Sequence, residues 1–188
     1  MTGEPPLLVI VTGPPASGKT SIALEIATGL SIPAIHKDEY KERLADMMPG
    51  DGLEWSQGLG RAAYEMILLT GESIVSAGGN CLLEANFHPV LSLPRLTELA
   101  SRSRVAQVVC SGDPEALLRR YLDRHAAGAR HPVHLDTNEL RLETLYNAFR
   151  RDHRLDLPGV VFPCDTTAPE PVDVTVIVDD LRAMLEGS

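Results

Sequence analysis

Between an apolar run and a helical one, the chain spells Gly13-Pro14-Pro15-Ala16-Ser17-Gly18-Lys19-Thr20, which fits G-x-x-x-x-G-K-[ST]. No other stretch restricts the fold so sharply. Leu7 to Val11 before it reads as a buried strand, and Ser21 to Ala27 after it has helical spacing. The eight residues therefore join a strand to a helix N-terminus. Free backbone N–H groups and the positive end of the helix dipole point at an anion there. Gly13 and Gly18 permit backbone geometry and close approach that a Cβ would block. Lys19 can reach the β- and γ-phosphates of a nucleoside triphosphate, and the Thr20 hydroxyl can ligate Mg²⁺. The expected nucleotide cradle is Gly13, Pro14, Pro15, Ala16, Ser17, Gly18, Lys19, Thr20 and Ser21.

Strand-like and helix-like segments alternate through the rest of the chain. Strands are expected at 7–11, 32–36, 80–84, 104–110 and 159–165. Helices are expected from Gly18 to Gly29, from Glu39 to Met47 behind Asp38 as N-cap, from Gln57 to Ser76, and within 89–101. Asp113-Pro114-Glu115 opens another, with Leu117, Leu118, Tyr121 and Leu122 as its apolar stripe. Asp136-Thr137-Asn138-Glu139 starts one that runs to about Asp152. The last falls within 171–185, where β-branched Val172 to Val178 leaves a strand as the alternative. The chain shows no repeat and no linker. The alternation predicts one α/β domain over 1–188, a three-layer P-loop NTPase fold. Its five-stranded parallel sheet carries helices on both faces, and a helical lid is expected at about 120–138. Ligands in such sheets bind at the carboxyl ends of the strands.

The formal net charge of −9 opposes a bulk electrostatic grip on nucleic acid but leaves room for a local basic groove. No long apolar stretch suggests a membrane span, and the short acidic start lacks the features of a signal peptide, so a cytoplasmic protein is expected. Cys81, Cys110 and Cys164 sit in or beside strand-like segments without Cys-x-x-Cys spacing, which reads as buried small hydrophobes.

A phosphate cradle is shared by kinases, GTPases and motors, so other residues must choose. The Asn-Lys-x-Asp pattern that reads guanine is absent, although the choice between ATP and GTP stays open. Asp38 follows the second strand, where a carboxylate can take the proton of an attacking hydroxyl or orient it. Lys37 and Lys41 either steer an acidic substrate or are surface charge. Glu84 closes the third strand as a Walker-B acid would, near the metal or the substrate. Asn86, Phe87 and His88 follow it as candidate substrate contacts. Arg120 and Arg124, four apart on one helical face, and Arg130 in the following break can stabilise charge on a transferring phosphoryl group. His131 and His134 have an H-x-x-H spacing that Pro132 makes a poor metal site. Trp55, the only tryptophan, stands in an expected loop before the long helix, either to stack on a ring or to pack locally.

Together these residues resemble the small P-loop kinases of the chloramphenicol phosphotransferase and zeta-toxin type, near the polynucleotide 5′-kinase domains. The likeness rests on Gly13 to Thr20, on Asp38 after the second strand, on the strand ending in Glu84, and on Arg120-x-x-x-Arg124 with Arg130-His131-Pro132. It spans about Leu7 to Phe149. The resemblance implies ATP and Mg²⁺ as cofactors, Asp38 as the base for the acceptor hydroxyl, and Lys19 on the phosphates. Thr20 would hold the metal, and the lid arginines would contact ATP. Polynucleotide kinases often carry Asp-x-x-Arg at the base, and Lys41 stands at the fourth place here. The expected activity is phosphate transfer to a hydroxyl of a small molecule such as an antibiotic, nucleoside or sugar. A 5′-hydroxyl polynucleotide kinase and a nucleotide-binding switch or toxin-like interaction protein stand as alternatives. The acceptor half is expected among Asp38, the stretch 46–60 and the loop after Glu84.

Overall fold

The computed structural model describes residues 4–88, 90, 92–128, 130–135 and 139–187, with 139–143 as backbone. Pro89 and Asp136 to Asn138, the expected start of a helix, lie outside the described residues. Five strands form one parallel sheet: β1 Leu7–Thr12, β2 Ala34–His36, β3 Cys81–Glu84, β4 Arg104–Ser111 and β5 Val160–Asp165, in the order β2-β3-β1-β4-β5. The helices are α1 Lys19–Leu30, α2 Lys37–Met47, α3 Gly52–Ser76, α4 Leu93–Ala100, α5 Pro114–Ala126, α6 Glu139–Arg150 and α7 Thr175–Glu186. A 3₁₀ turn spans Pro132–His134.

Period-two alternation along β1 explains the layering. Leu7, Val9 and Val11 face a core shared with Ile22, Ile26 and Leu30 of α1 and Val178 and Leu181 of α7. Leu8 and Ile10 face the other core, with Ile67 and Val75 of α3 and Leu96 and Leu99 of α4. Both faces of β1 are thus apolar and covered, as the continuous run Leu7 to Val11 requires. Cys81, Cys110 and Cys164 are free thiols buried in these layers, and burial pushes the Cys81 thiol up to about 12. Gln107 is the polar exception in mid-sheet. Its side-chain amide donates to Leu155 O at 3.1 Å and accepts from Leu155 N at 3.0 Å, so it brackets the segment before β5 without an unpaired group.

Several boundaries differ from expectation. Strand β2 begins only at Ala34, after Pro33, and runs into α2 without a loop. His36, not Asp38, is the residue before the helix, and Asp38 lies in the first turn without capping it. Helix α3 starts at Gly52, so Trp55 is helical. The Trp55 indole donates to Met48 O at 3.1 Å and packs near Leu59 and Val133. Gly50 must lack a side chain here, because a Cβ would come within 2.5 Å of that indole nitrogen. The β-branched run near the C-terminus becomes the start of α7, where Val178 fits against Gly29 of α1 and helix packing overrides β-propensity.

Candidate active site

The phosphate loop is shaped by what β1 is packed against. Gly13 has φ +149° and lies so close to β4 that a Cβ would stand 2.4 Å from Cys110 O. Ser17 is fully buried, and its hydroxyl donates to Pro14 O at 2.8 Å. Gly18 has φ +72° with open space around it and precedes α1 without any side-chain cap, leaving the first helical N–H groups toward the cleft. Gly13, Pro14 and Ser17 therefore hold the loop, while Pro15, Ala16, Gly18, Lys19, Thr20 and Ser21 line a cleft of about 690 Å³. Lys19 Nζ donates back to Pro14 O at 2.9 Å, folded over its own loop.

The far wall comes from β3, α2, and Arg124 and Arg130 in and after α5. Parallel pairing sets His36 opposite Glu84 at the carboxyl ends of β2 and β3. Glu84 Oε2 accepts from the Thr20 hydroxyl at 3.2 Å and pairs with His36 Nδ1 at 3.1 Å. That hydrogen bond raises the His36 pKa against the lowering effect of its burial. Thr20 and Glu84 place a hydroxyl and a carboxylate side by side in the cleft, the hard oxygen donors that Mg²⁺ prefers. Among the described residues no group of three or more His, Cys, Asp or Glu forms a protein cage. The pair thus fits an ion that keeps waters and shares phosphate oxygens.

Asp38 reaches the same cleft although β3 separates β2 from β1, because α2 begins directly at the strand end. Lys37 Nζ donates to its Oδ1 at 2.9 Å, and Arg130 Nη2 donates to its Oδ2 at 3.1 Å. Burial alone would raise the Asp38 carboxyl. The charges of Lys37 and Arg130, with the hydrogen bond from Lys37, outweigh that and hold it well below the usual carboxylate range.

Arg130 is itself stapled. Its Nη2 donates to His134 Nδ1 at 3.3 Å, and His134 Nε2 meets Glu42 Oε1 at 2.8 Å. An arginine can only donate, so Nδ1 accepts, and the ring proton sits on Nε2. The neutral ring agrees with its pKa, which burial pushes down to about 3. Two further contacts tie the turn to the helices. His131 Nε2 reaches Asp46 at 3.2 Å, and Ser56 donates its hydroxyl to Val133 O at 2.5 Å. The two histidines thus reach different acids on α2 rather than a common metal. Lys41, expected at the surface or steering a substrate, is buried and donates to Ser56 at 2.8 Å.

Of the lid arginines, Arg124 and Arg130 line the cleft and Arg120 does not. Arg120 donates instead to Thr167 O and Ala168 O, at 3.0 and 2.6 Å, in the loop after β5. Four residues along a helix shift a side chain by about 6 Å, enough to separate two arginines on one face. Phe87 is core, edge-on to Tyr64 with ring centroids 5.5 Å apart. Asn86 and His88 are accessible and line a second groove with Gln57, Gly60, Arg61 and Tyr64 of α3. The α3 residues are spaced i, i+3, i+4 and i+7, a polar face beside the apolar stripe of Leu59, Ala63 and Ile67. That spacing was the available signal, and the glycines in it obscured it.

One cleft thus brings together a phosphate loop, the Asp38 and Glu84 carboxylates and two arginines, Arg124 and Arg130. The protein is a P-loop kinase. Residues 8–149 match the profile of the AAA domain family, and the chain belongs to that family. A shikimate kinase of Mesorhizobium japonicum is 25% identical over 154 residues, 73% of this chain and 76% of its own. A solved structure from Chloroflexus aurantiacus, considered a kinase, is 36% identical with a TM-score of 0.87, covering 95% of this chain and 98% of that one. A gluconokinase from Sinorhizobium meliloti, 20% identical with a TM-score of 0.55 over 98% of both chains, shares the fold.

Proposed function

We propose that the protein transfers the γ-phosphate of ATP to a hydroxyl group of a small molecule, with Asp38 orienting that hydroxyl. The observation that carries this reading is the single cleft that Asp38 shares with Lys19, Thr20, Glu84, Arg124 and Arg130. The backbone N–H groups of the loop and α1 would receive the phosphates, and Lys19 would turn from Pro14 O to the β- and γ-oxygens. Thr20 and Glu84 would hold Mg²⁺, which when bound neutralises charge on those oxygens.

Asp38 is held so firmly ionised that it is a weak base. Its first task is to accept a hydrogen bond from the attacking hydroxyl and aim its oxygen. Phosphoryl transfer passes through a loose transition state with little need for early deprotonation. The acceptor oxygen forms its bond to the γ-phosphorus as the bond to the β,γ-bridging oxygen breaks. ADP leaves, and the hydroxyl proton passes to Asp38 and then to solvent. Arg124 and Arg130 supply charge to the equatorial oxygens, which requires Arg130 to share itself between Asp38 and the nucleotide.

The test is incubation with ATP, Mg²⁺ and a cell extract, followed by mass spectrometry for metabolites heavier by one phosphate. A phosphorylated small molecule is expected, and Lys19→Ala removes it. Phosphorylation of 5′-hydroxyl oligonucleotides alone, or a stable protein partner with no phosphorylated product, would overturn the small-molecule reading.

A further inference from the structure

The groove beside the phosphate cleft carries information about the acceptor. It has a volume of about 1190 Å³ and is joined to the cleft through two shared wall residues, Lys37 and Asn86. An alcohol whose hydroxyl lies at Asp38 would extend its remaining atoms here. The charges of the wall are unequal in their commitments. Lys37 is engaged by Asp38 at 2.9 Å, and Glu65 is neutralised by Arg95 at 2.9 Å. Arg61 has no ion pair or hydrogen bond among the described residues and is exposed, with its guanidinium 3.9 Å from where a Cβ on Gly58 would stand.

Gly60 also lines the groove. It sits inside α3, where glycine is less favourable than alanine by about 1 kcal/mol. The fold does not require it, since an added Cβ would meet nothing nearer than Lys41 Cε at 3.9 Å. Gly71 on the same helix differs, because there Leu83 would stand 3.1 Å away. Gly60 costs helix stability and adds no side chain to the groove that it lines with Gln57, Arg61 and Tyr64. Asn86 and His88, which also line the groove, suit a hydroxylated body rather than an apolar one.

Building on the kinase reading above, we propose that the acceptor is a small alcohol bearing an anionic group, carboxylate or phosphate. Arg61 binds that anion in the groove while the hydroxyl lies against Asp38. Arginine presents paired N–H donors that match either anion. Gly60 provides the space, and Lys37 offers a second positive charge at the junction of groove and cleft.

The test pairs each anionic probe with a neutral partner: glycerate with its methyl ester, gluconate with glucose, glycerol phosphate with glycerol. Binding is measured by calorimetry on protein loaded with Mg²⁺ and a non-hydrolysable ATP analogue, and transfer by mass spectrometry with ATP. At least one acid or phosphate binds about tenfold to a hundredfold more tightly than its neutral partner, the range of a charge-assisted pair. Arg61→Ala abolishes that preference and Arg61→Lys keeps part of it. Arg43→Ala, an exposed α2 arginine outside the groove, leaves it unchanged. Gly60→Leu fills the groove and weakens binding of the same probe. The carboxylate and phosphate arms tell the two anions apart. The proposal is overturned if every acid binds no better than its neutral partner, if Arg61→Ala or Gly60→Leu leaves the preference intact, or if a 5′-hydroxyl oligonucleotide outcompetes all small acids. Arg61-dependent binding without phosphate transfer would sink the kinase reading and leave the groove assignment standing. Equal phosphorylation of acids and neutral alcohols would do the reverse.

Discussion

Acidification should destabilise the protein through one histidine. His134 is almost fully buried, accepts a hydrogen bond from Arg130 at Nδ1 and donates one to Glu42 from Nε2. Its pKa falls from 6.5 to about 3, so the folded state binds fewer protons than the unfolded one below pH 6.5. Stability from this ring is therefore complete above about 6.5 and is lost as pH falls toward the folded value. Between pH 7.5 and pH 5 the unfolded chain gains the proton and the folded ring does not. At 1.36 kcal/mol per unit over about 1.5 units, the loss is about 2 kcal/mol. Any folded value below about 4 gives the same figure. Lys37, Lys41 and Arg130 oppose the proton, while Asp38 and Glu42 favour it, so the net depression reflects burial first. Trp55 packs near Val133 in this turn and is the only tryptophan, which makes it a direct reporter. Urea titrations followed by Trp55 fluorescence at the two pH values measure the loss. His134→Gln keeps a neutral side chain there and should flatten the dependence by about 2 kcal/mol relative to the native chain. Equal slopes for native protein and variant would refute the assignment of a neutral, stapling His134.

Other outcomes follow from the same geometry. Lys19→Ala should lower turnover by about a hundredfold or more through loss of phosphate charge stabilisation, and normal steady-state turnover would refute the cradle. Asp38→Asn should reduce kcat by a similar order with a smaller change in ATP affinity; an unchanged kcat would remove Asp38 from the reaction. Gly13→Ala should destabilise by about 3 kcal/mol or more, since it combines an unfavourable φ with a 2.4 Å clash on β4, and thermal melting would show it. Arg124→Ala should cut kcat severalfold more than Arg120→Ala, whose bonds run to Thr167 and Ala168; the reverse order in steady-state assays would show that the lid closes differently.

Local patterns carried the fold well. The apolar run before Gly13 and the Asp113-Pro114 start of α5 are set by nearest-neighbour chemistry, and the structure keeps both. The start of α3 was hidden because Pro49, Gly50, Gly52, Gly58 and Gly60 weaken any helical signal. What restores the helix there is long-range packing of Trp55 and Leu59 against Val133. Placement in the cleft was legible wherever it follows from a residue's position after a strand, as with Asp38 and Glu84. It was illegible where partners lie far apart in sequence. The His36–Glu84 pair spans 48 residues, and the Arg130–Asp38 pair spans 92. Arg120 was misplaced because a shared helical face fixes direction but not distance along the axis.

The direct passage from β2 into α2 separates what can vary from what cannot. His36 is locked to Glu84 by sheet register, and Asp38 follows two residues later on the same rigid piece. The two carboxylates, Glu84 and Asp38, are therefore geared to one another by the sheet. The α3 residues of the groove, Gln57, Gly60, Arg61 and Tyr64, stand on a separate helix. If the acceptor lies in that groove, substitutions on that helix would exchange one acceptor for another while the reacting atoms keep their spacing, so a new specificity would not require a new catalyst.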